Sequence, residues 1–165
     1  IAGGVDLVWI ETMSALEEMQ AAIEGVRRIS PDIPIITTMT FDTHGHTMMG
    51  VSPERAIKAM TEWGAVAAGG NCGNGPDEIL AVIKKMQATG PAIPLVAKSN
   101  AGVPILVKGK TEYRAGPGEM AKCAEELREA GAAIIGACCG STPEHLQAMA
   151  QALAIREIRD RGFAK

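Results

Sequence analysis

The chain alternates short apolar runs with longer stretches whose apolar residues recur every three or four positions. The runs Val5–Ile10, Pro34–Thr40, Ala65–Gly69, Ile93–Ala97 and Ala133–Gly136 are predominantly apolar, interrupted only by Asp6 and by Thr37, Thr38 and Thr40. That suits strands of a parallel sheet buried on both faces. The stretches between them predict helices. Leu16, Met19, Ile23 and Val26 form one stripe, opened by Ser14 with Glu17 three residues on in a capping-box pattern. Ile79, Val82, Ile83 and Met86 follow Pro76, a residue suited to a first helical turn. Ser52-Pro53 and Thr142-Pro143 offer a capping hydroxyl and then proline. Met120, Cys123, Leu127 and Ala130 make another stripe, and Leu146, Met149 and Leu153 the last.

The order is therefore βα five times. Strand starts fall near residues 5, 34, 65, 93 and 133, a mean spacing of 32. A (β/α)8 barrel uses about 31 residues per unit. An open, doubly wound sheet of five strands would fit the length as well, and spacing does not choose between them. The longest interval contains a loop from Lys98 to Gly118, and long loops in compact domains tend to be functional.

Composition removes several classes of function. The 165 residues carry a net charge of −3, which gives no electrostatic reason to bind nucleic acid or an anionic membrane. Only 3% of residues are aromatic, too few for a base-stacking platform. No apolar run approaches the roughly 18 residues of a membrane span. The 4 cysteines, without a secretory leader, point to a reducing compartment, and a cytoplasmic location is expected. The chain opens on Ile1 rather than Met, almost inside a strand, and is expected to be part of a longer gene product.

Ligand sites of parallel α/β folds lie beyond the carboxyl ends of the strands. Those ends carry Glu11-Thr12, Thr40-Phe41-Asp42, Gly69-Gly70-Asn71-Cys72, Lys98-Ser99-Asn100 and Ala137-Cys138-Cys139-Gly140-Ser141. Three thiols, Cys72, Cys138 and Cys139, thus share one rim although 66 residues separate the first two. Zn2+ favours thiolates, and three protein ligands leave a fourth position open for a substrate. A cysteine is otherwise a small buried hydrophobe, and that is the reading for Cys123 on its helical stripe. Glu11 suits a substrate ammonium or a solvated helix start, and Asp42 a local turn. Lys98 could form a Schiff base, as in aldolases, or bind an anion. His44 and His46 flank Gly45 in a polar loop, where they could ligate metal but read more readily as surface residues, and His145 falls in the first turn of a helix.

Several of these segments resemble the homocysteine S-methyltransferase family, which includes betaine–homocysteine methyltransferases and the homocysteine-binding module of cobalamin-dependent methionine synthases. The matching stretches are Asp6-Leu7-Val8-Trp9-Ile10-Glu11-Thr12, Thr40-Phe41-Asp42, Gly50-Val51-Ser52-Pro53-Glu54, Gly70-Asn71-Cys72-Gly73, Ser99-Asn100-Ala101-Gly102, and Gly136-Ala137-Cys138-Cys139-Gly140-Ser141-Thr142-Pro143-Glu144-His145. The last is the most specific. The resemblance runs from residue 3 to about residue 153. It implies the last five βα units of a TIM-type (β/α)8 barrel, with the first three units absent, so that residues 1–165 form a partial homocysteine-binding domain. It implies a zinc site from Cys72, Cys138 and Cys139, with Glu11 on the homocysteine amino group and the substrate thiol in the open position. Asn71, Asn100 and backbone around Gly140-Ser141 are then candidates for holding the amino acid.

The implied reaction moves a methyl group from a small donor to homocysteine, giving methionine. Betaine, S-methylmethionine and a corrinoid protein are the candidate donors. In betaine enzymes the residue after the strand-end glutamate is aromatic; here it is Thr12. The competing readings are a Schiff-base lyase centred on Lys98, and a fragment that binds zinc or homocysteine without catalysis.

Overall fold

A computed structural model describes the backbone of residues 1–160 and the side chains of residues 1–154. Five strands, β1 (Val8–Met13), β2 (Ile35–Met39), β3 (Ala67–Cys72), β4 (Leu95–Ser99) and β7 (Ala132–Ala137), form one parallel sheet in chain order. The helices α1 (Leu16–Ile29), α2 (Pro53–Glu62), α3 (Pro76–Ala88), α4 (Pro117–Glu129) and α5 (Pro143–Asp160) follow β1, β2, β3, the long loop after β4, and β7 in turn. Consecutive helices pack against one another, so they share one face of the sheet. A doubly wound sheet would reverse its strand order at a switch point and place helices on both faces. Unreversed order with one helical layer is the arrangement of a TIM-type barrel arc.

Two layers of side chains follow from strand alternation. Ile35, Met39 and Leu95 face the helices and meet Met19, Ile57 and Ile83 in the main core. On the opposite, concave face Ile36, Ala67 and Val96 pack with Trp9 and Ile134. Gly69 is required between them: a Cβ there would stand 1.8 Å from the Val96 carbonyl oxygen.

The strands sit further along the chain than the apolar runs suggest. β1 covers Val8–Met13 rather than Val5–Ile10, and β3 covers Ala67–Cys72 rather than Ala65–Gly69. Asn71, Cys72 and Lys98 are thus among the last paired rungs of their strands, and Glu11 lies within β1, rather than beyond the strands. The Ser14–Glu17 capping box does not form. β1 runs on to Met13 and the helix starts at Leu16, leaving Ala15 at the cap with no side-chain hydrogen bond. Ser52 does cap α2, accepting from the Arg55 amide at 3.3 Å. The Lys98–Gly118 loop holds an antiparallel hairpin, β5 (Ile105–Val107) with β6 (Lys110–Glu112). Among the described residues no helix is long and apolar enough to cross a membrane.

Candidate metal and substrate site

The carboxyl ends of β3 and β7 bring three thiols together. Cys72 Sγ lies 2.8 Å from Cys138 Sγ and 4.0 Å from Cys139 Sγ, and the last two are 3.9 Å apart. All are free thiols. Zinc–sulfur bonds of about 2.3 Å in a tetrahedron set the sulfurs about 3.8 Å apart. Two of the three edges already match that spacing, and the third needs to open by about 1 Å. Burial, then the neighbouring Cys138 thiol, push Cys72 up to about 12. Three thiolates would repel at this range, and a bound dication supplies the missing counter-charge. Donor type, number and spacing fit Zn2+ with one position left over.

Backbone and carboxamides hold the thiols in place. Cys72 has φ 59 and Thr12 φ 67, left-handed values uncommon for non-glycine residues and outlying for a β-branched one. Thr12 falls where the β1–β2 register shifts, so β1 bulges there. The bulge lets Thr12 reach Asn71, which is fully buried. The Thr12 amide donates to Asn71 Oδ1 at 3.0 Å, and Asn71 Nδ2 donates to Thr12 Oγ1 at 2.8 Å and Cys72 Sγ at 3.2 Å. Asn100 is 5% exposed. Its Oδ1 accepts from the Cys139 amide at 3.0 Å and its Nδ2 donates to the Gly73 carbonyl at 2.9 Å. Each asparagine therefore ties down a cysteine-bearing segment.

The turn after β7 closes through the Cys138 amide on the Ser99 carbonyl and the Ser141 amide on the Cys138 carbonyl. His145, in the first turn of α5, accepts the Thr142 amide at Nδ1, and its Nε2 lies 3.0 Å from the Ala115 carbonyl. That contact anchors the segment leaving the hairpin against the cysteine turn. Tyr113 lies on that segment. Gly140 (φ +79) gives its ring room: a Cβ at 140 would stand 2.1 Å from Tyr113 Cγ. Burial, then the Cys139 thiol, hold the Tyr113 phenol above its usual range.

Glu11 and Lys98 share the same end of the sheet and form an ion pair across 87 residues. The Lys98 ammonium also lies 5.0 Å from the centroid of the Trp9 ring. A Schiff-base lysine is usually activated by apolar or cationic surroundings, whereas Lys98 faces a carboxylate. Cys123 is buried in the main core, away from the thiol cluster. Asp42, His44 and His46 stay in the loop after β2, with no ligand atom in the cluster.

Sequence reasoning brought the three cysteines to one rim but missed Tyr113, the bridge from Thr12 to Asn71 and the pairing of Glu11 with Lys98. Tyr113 carried one usable signal, as the single tyrosine inside the longest loop. Trp9 and Glu11 alternate along β1, which puts them on one face.

The model of a family described as homocysteine S-methyltransferase matches residues 1–153. The methionine synthases of Mycobacterium leprae (strain TN) and Mycobacterium tuberculosis (strain ATCC 25618 / H37Rv) are 33% and 32% identical over 157 residues. Those matches cover 92% of this chain and 13% of each relative. The oxidized form of the homocysteine methyltransferase MmuM from Escherichia coli is 25% identical with a TM-score of 0.67, covering 94% of this chain and 47% of that one. Its apo form, 23% identical, gives a TM-score of 0.70 over 92% of this chain and 51% of that one, a likeness of fold. The chain thus spans a small part of the methionine synthases it matches and about half of the bacterial methyltransferase. It belongs to the homocysteine S-methyltransferase family.

Proposed function

We propose that this chain binds homocysteine at a zinc centre made by Cys72, Cys138 and Cys139 and serves transfer of a methyl group to its sulfur, giving methionine. The observation that carries this reading is the convergence of three thiols from two strand ends within 4.8 Å, in a chain of this family. Residues 1–165 are read as one partial homocysteine-binding barrel, contributing its last five βα units.

Zinc bound there would supply the positive charge that makes a thiol ionise near neutral pH. The protein's part is placement. Asn71 and Asn100 fix the cysteine segments; their carboxamides are engaged within the protein, so we assign them to the frame around the substrate rather than to its amino-acid end. Glu11 binds the substrate ammonium. The Tyr113 ring on Gly140 covers one side of the cluster and limits access of water. In the transfer the substrate thiol gives up its proton, its sulfur takes the methyl group, and the donor leaves with the electron pair of the broken bond. Betaine, S-methylmethionine and a methylated corrinoid protein all meet that requirement.

Metal analysis tests the centre. One zinc per chain is expected, falling sharply in Cys72→Ser; unchanged metal content in that variant refutes the ligand set. Methyl transfer by the whole protein, assayed with each of the three donors, identifies the donor. Stoichiometric zinc and homocysteine binding, with no transfer from any of the three, would reduce the chain to a binding module.

A further inference from the structure

The ion pair at the end of the sheet is placed for more than one task. Glu11 lies in the carboxyl-terminal half of β1 and Lys98 next to the end of β4, two strands that are not neighbours, so the pair closes across the concave face. Lys98 is in register with Asn71 on one side and Gly136 on the other. It therefore stands one residue before Cys72 and two before Cys138 along the flanking strands, at about 3.3 Å per residue. Trp9 supports the ammonium from below, and Gly136, with no side chain, leaves the lysine stem free on its other flank. The side chains of Lys98 and Glu11 are 20% and 45% exposed, so a small molecule can reach both charges.

We propose that Lys98 binds the α-carboxylate of the substrate, so that Lys98 and Glu11 together read the two charges of an amino-acid zwitterion whose thiol points to the cysteine cluster. This rests on the homocysteine reading above. An amino acid carries its ammonium and carboxylate on one carbon. Laid against an existing carboxylate–ammonium pair, it makes a ring of alternating charges in which each ion keeps an opposite neighbour. Without ligand, Lys98 and Glu11 neutralise each other, and neither charge is left uncompensated on a partly buried surface. With ligand, Lys98 gives up part of its contact with Glu11 to the incoming ammonium and gains the carboxylate. The arrangement selects against a thiol bearing only one of the two charges. A lone amine competes with Lys98 for Glu11, and a lone carboxylate competes with Glu11 for Lys98.

The test is thiol binding to protein loaded with Co2+ at the cysteine centre, read from the cobalt absorption bands. The ligands are homocysteine, 3-aminopropane-1-thiol and 4-mercaptobutanoate. Wild-type protein is expected to bind homocysteine most tightly. Lys98→Met should weaken homocysteine about tenfold, a loss in the range of a charge-assisted hydrogen bond. It should leave 3-aminopropane-1-thiol unchanged or tighter, because Glu11 loses its competitor. Lys98→Arg should restore most of the homocysteine affinity. Equal weakening of homocysteine and the amine thiol in Lys98→Met would show a merely structural lysine and overturn the proposal, as would unchanged homocysteine binding. A wild-type protein whose spectrum responds to none of the three thiols refutes the homocysteine reading, and this proposal falls with it.

Discussion

Replacing Asn71 by alanine separates the frame of the site from its ligands. The carboxamide makes two hydrogen bonds to Thr12, at 3.0 and 2.8 Å, and one to Cys72 Sγ at 3.2 Å. A typical intramolecular hydrogen bond contributes about 1 kcal/mol net, so the bridge to Thr12 is worth about 2 kcal/mol. Two effects reduce the loss. Thr12 is exposed, so its freed amide and hydroxyl reach water and no buried orphan remains. The left-handed backbone at Thr12 stores about 1–3 kcal/mol of strain, part of which is released once the bulge is no longer held. A net loss of about 1–2 kcal/mol is expected. In equilibrium urea unfolding of the metal-free protein, with a slope of about 2 kcal/mol per molar, the midpoint should fall by about 0.5–1 M. Zinc affinity, measured by chelator competition, should fall as well, because Cys72 loses the donor that fixes its sulfur. Thr12→Gly is the control: it relieves the strain and removes one bond, so its midpoint should lie near wild type. Asn71→Ala with an unchanged midpoint and unchanged zinc affinity would refute the idea that the β1–β3 bridge organises this site.

Gly140→Ala forces a Cβ to 2.1 Å from the Tyr113 ring at a left-handed φ of +79. It should lower stability by about 1–3 kcal/mol and speed thiol alkylation at Cys139 in the metal-free protein, both measured directly against wild type. Cys123 gives the alkaline limit. Burial first, then Glu126 and Asp77, push it from 9.0 to about 11. The unfolded chain therefore ionises this thiol at lower pH than the folded protein does. Its contribution to stability is intact below pH 9 and is lost as pH rises from about 9 to 11. Cys123→Ala should flatten that part of a stability–pH profile, and an unaltered profile would show that the burial argument is wrong.

The helices were legible because their signals are local. Ser52-Pro53 caps α2 through an atom three residues away, and the stripe of α3 faces the core as its spacing demands. The strand ends were misread for a physical reason. Hydrophobicity reports where side chains are buried, whereas pairing at the carboxyl end of a parallel sheet continues into polar residues: Asn71 pairs with Lys98, and Cys72 with Ser99. The β5–β6 hairpin was invisible to an apolar pattern because its strands are three residues long and mostly exposed. Its one sign was Gly109, which with Lys108 takes positive φ in a two-residue turn. The cysteine cluster could be read because three thiols at strand ends must share one edge of any parallel sheet.

What could not be read is the curl of the sheet, and the rest of the site depends on it. Strands two apart in a flat sheet lie about 9.5 Å from each other. An asparagine carboxamide reaches about 3.5 Å from its Cα, and a hydrogen bond adds about 3 Å. Asn71 on β3 nevertheless meets the backbone of Thr12 on β1 at 3.0 Å, with β2 between them. Curvature and the bulge at Thr12 must together close the remaining 3 Å. The same closure lets Glu11 reach Lys98 over one strand more. Curvature of the arc is therefore part of the chemistry, because it draws together the ends of four separate strands, two carrying the thiols and two the paired charges.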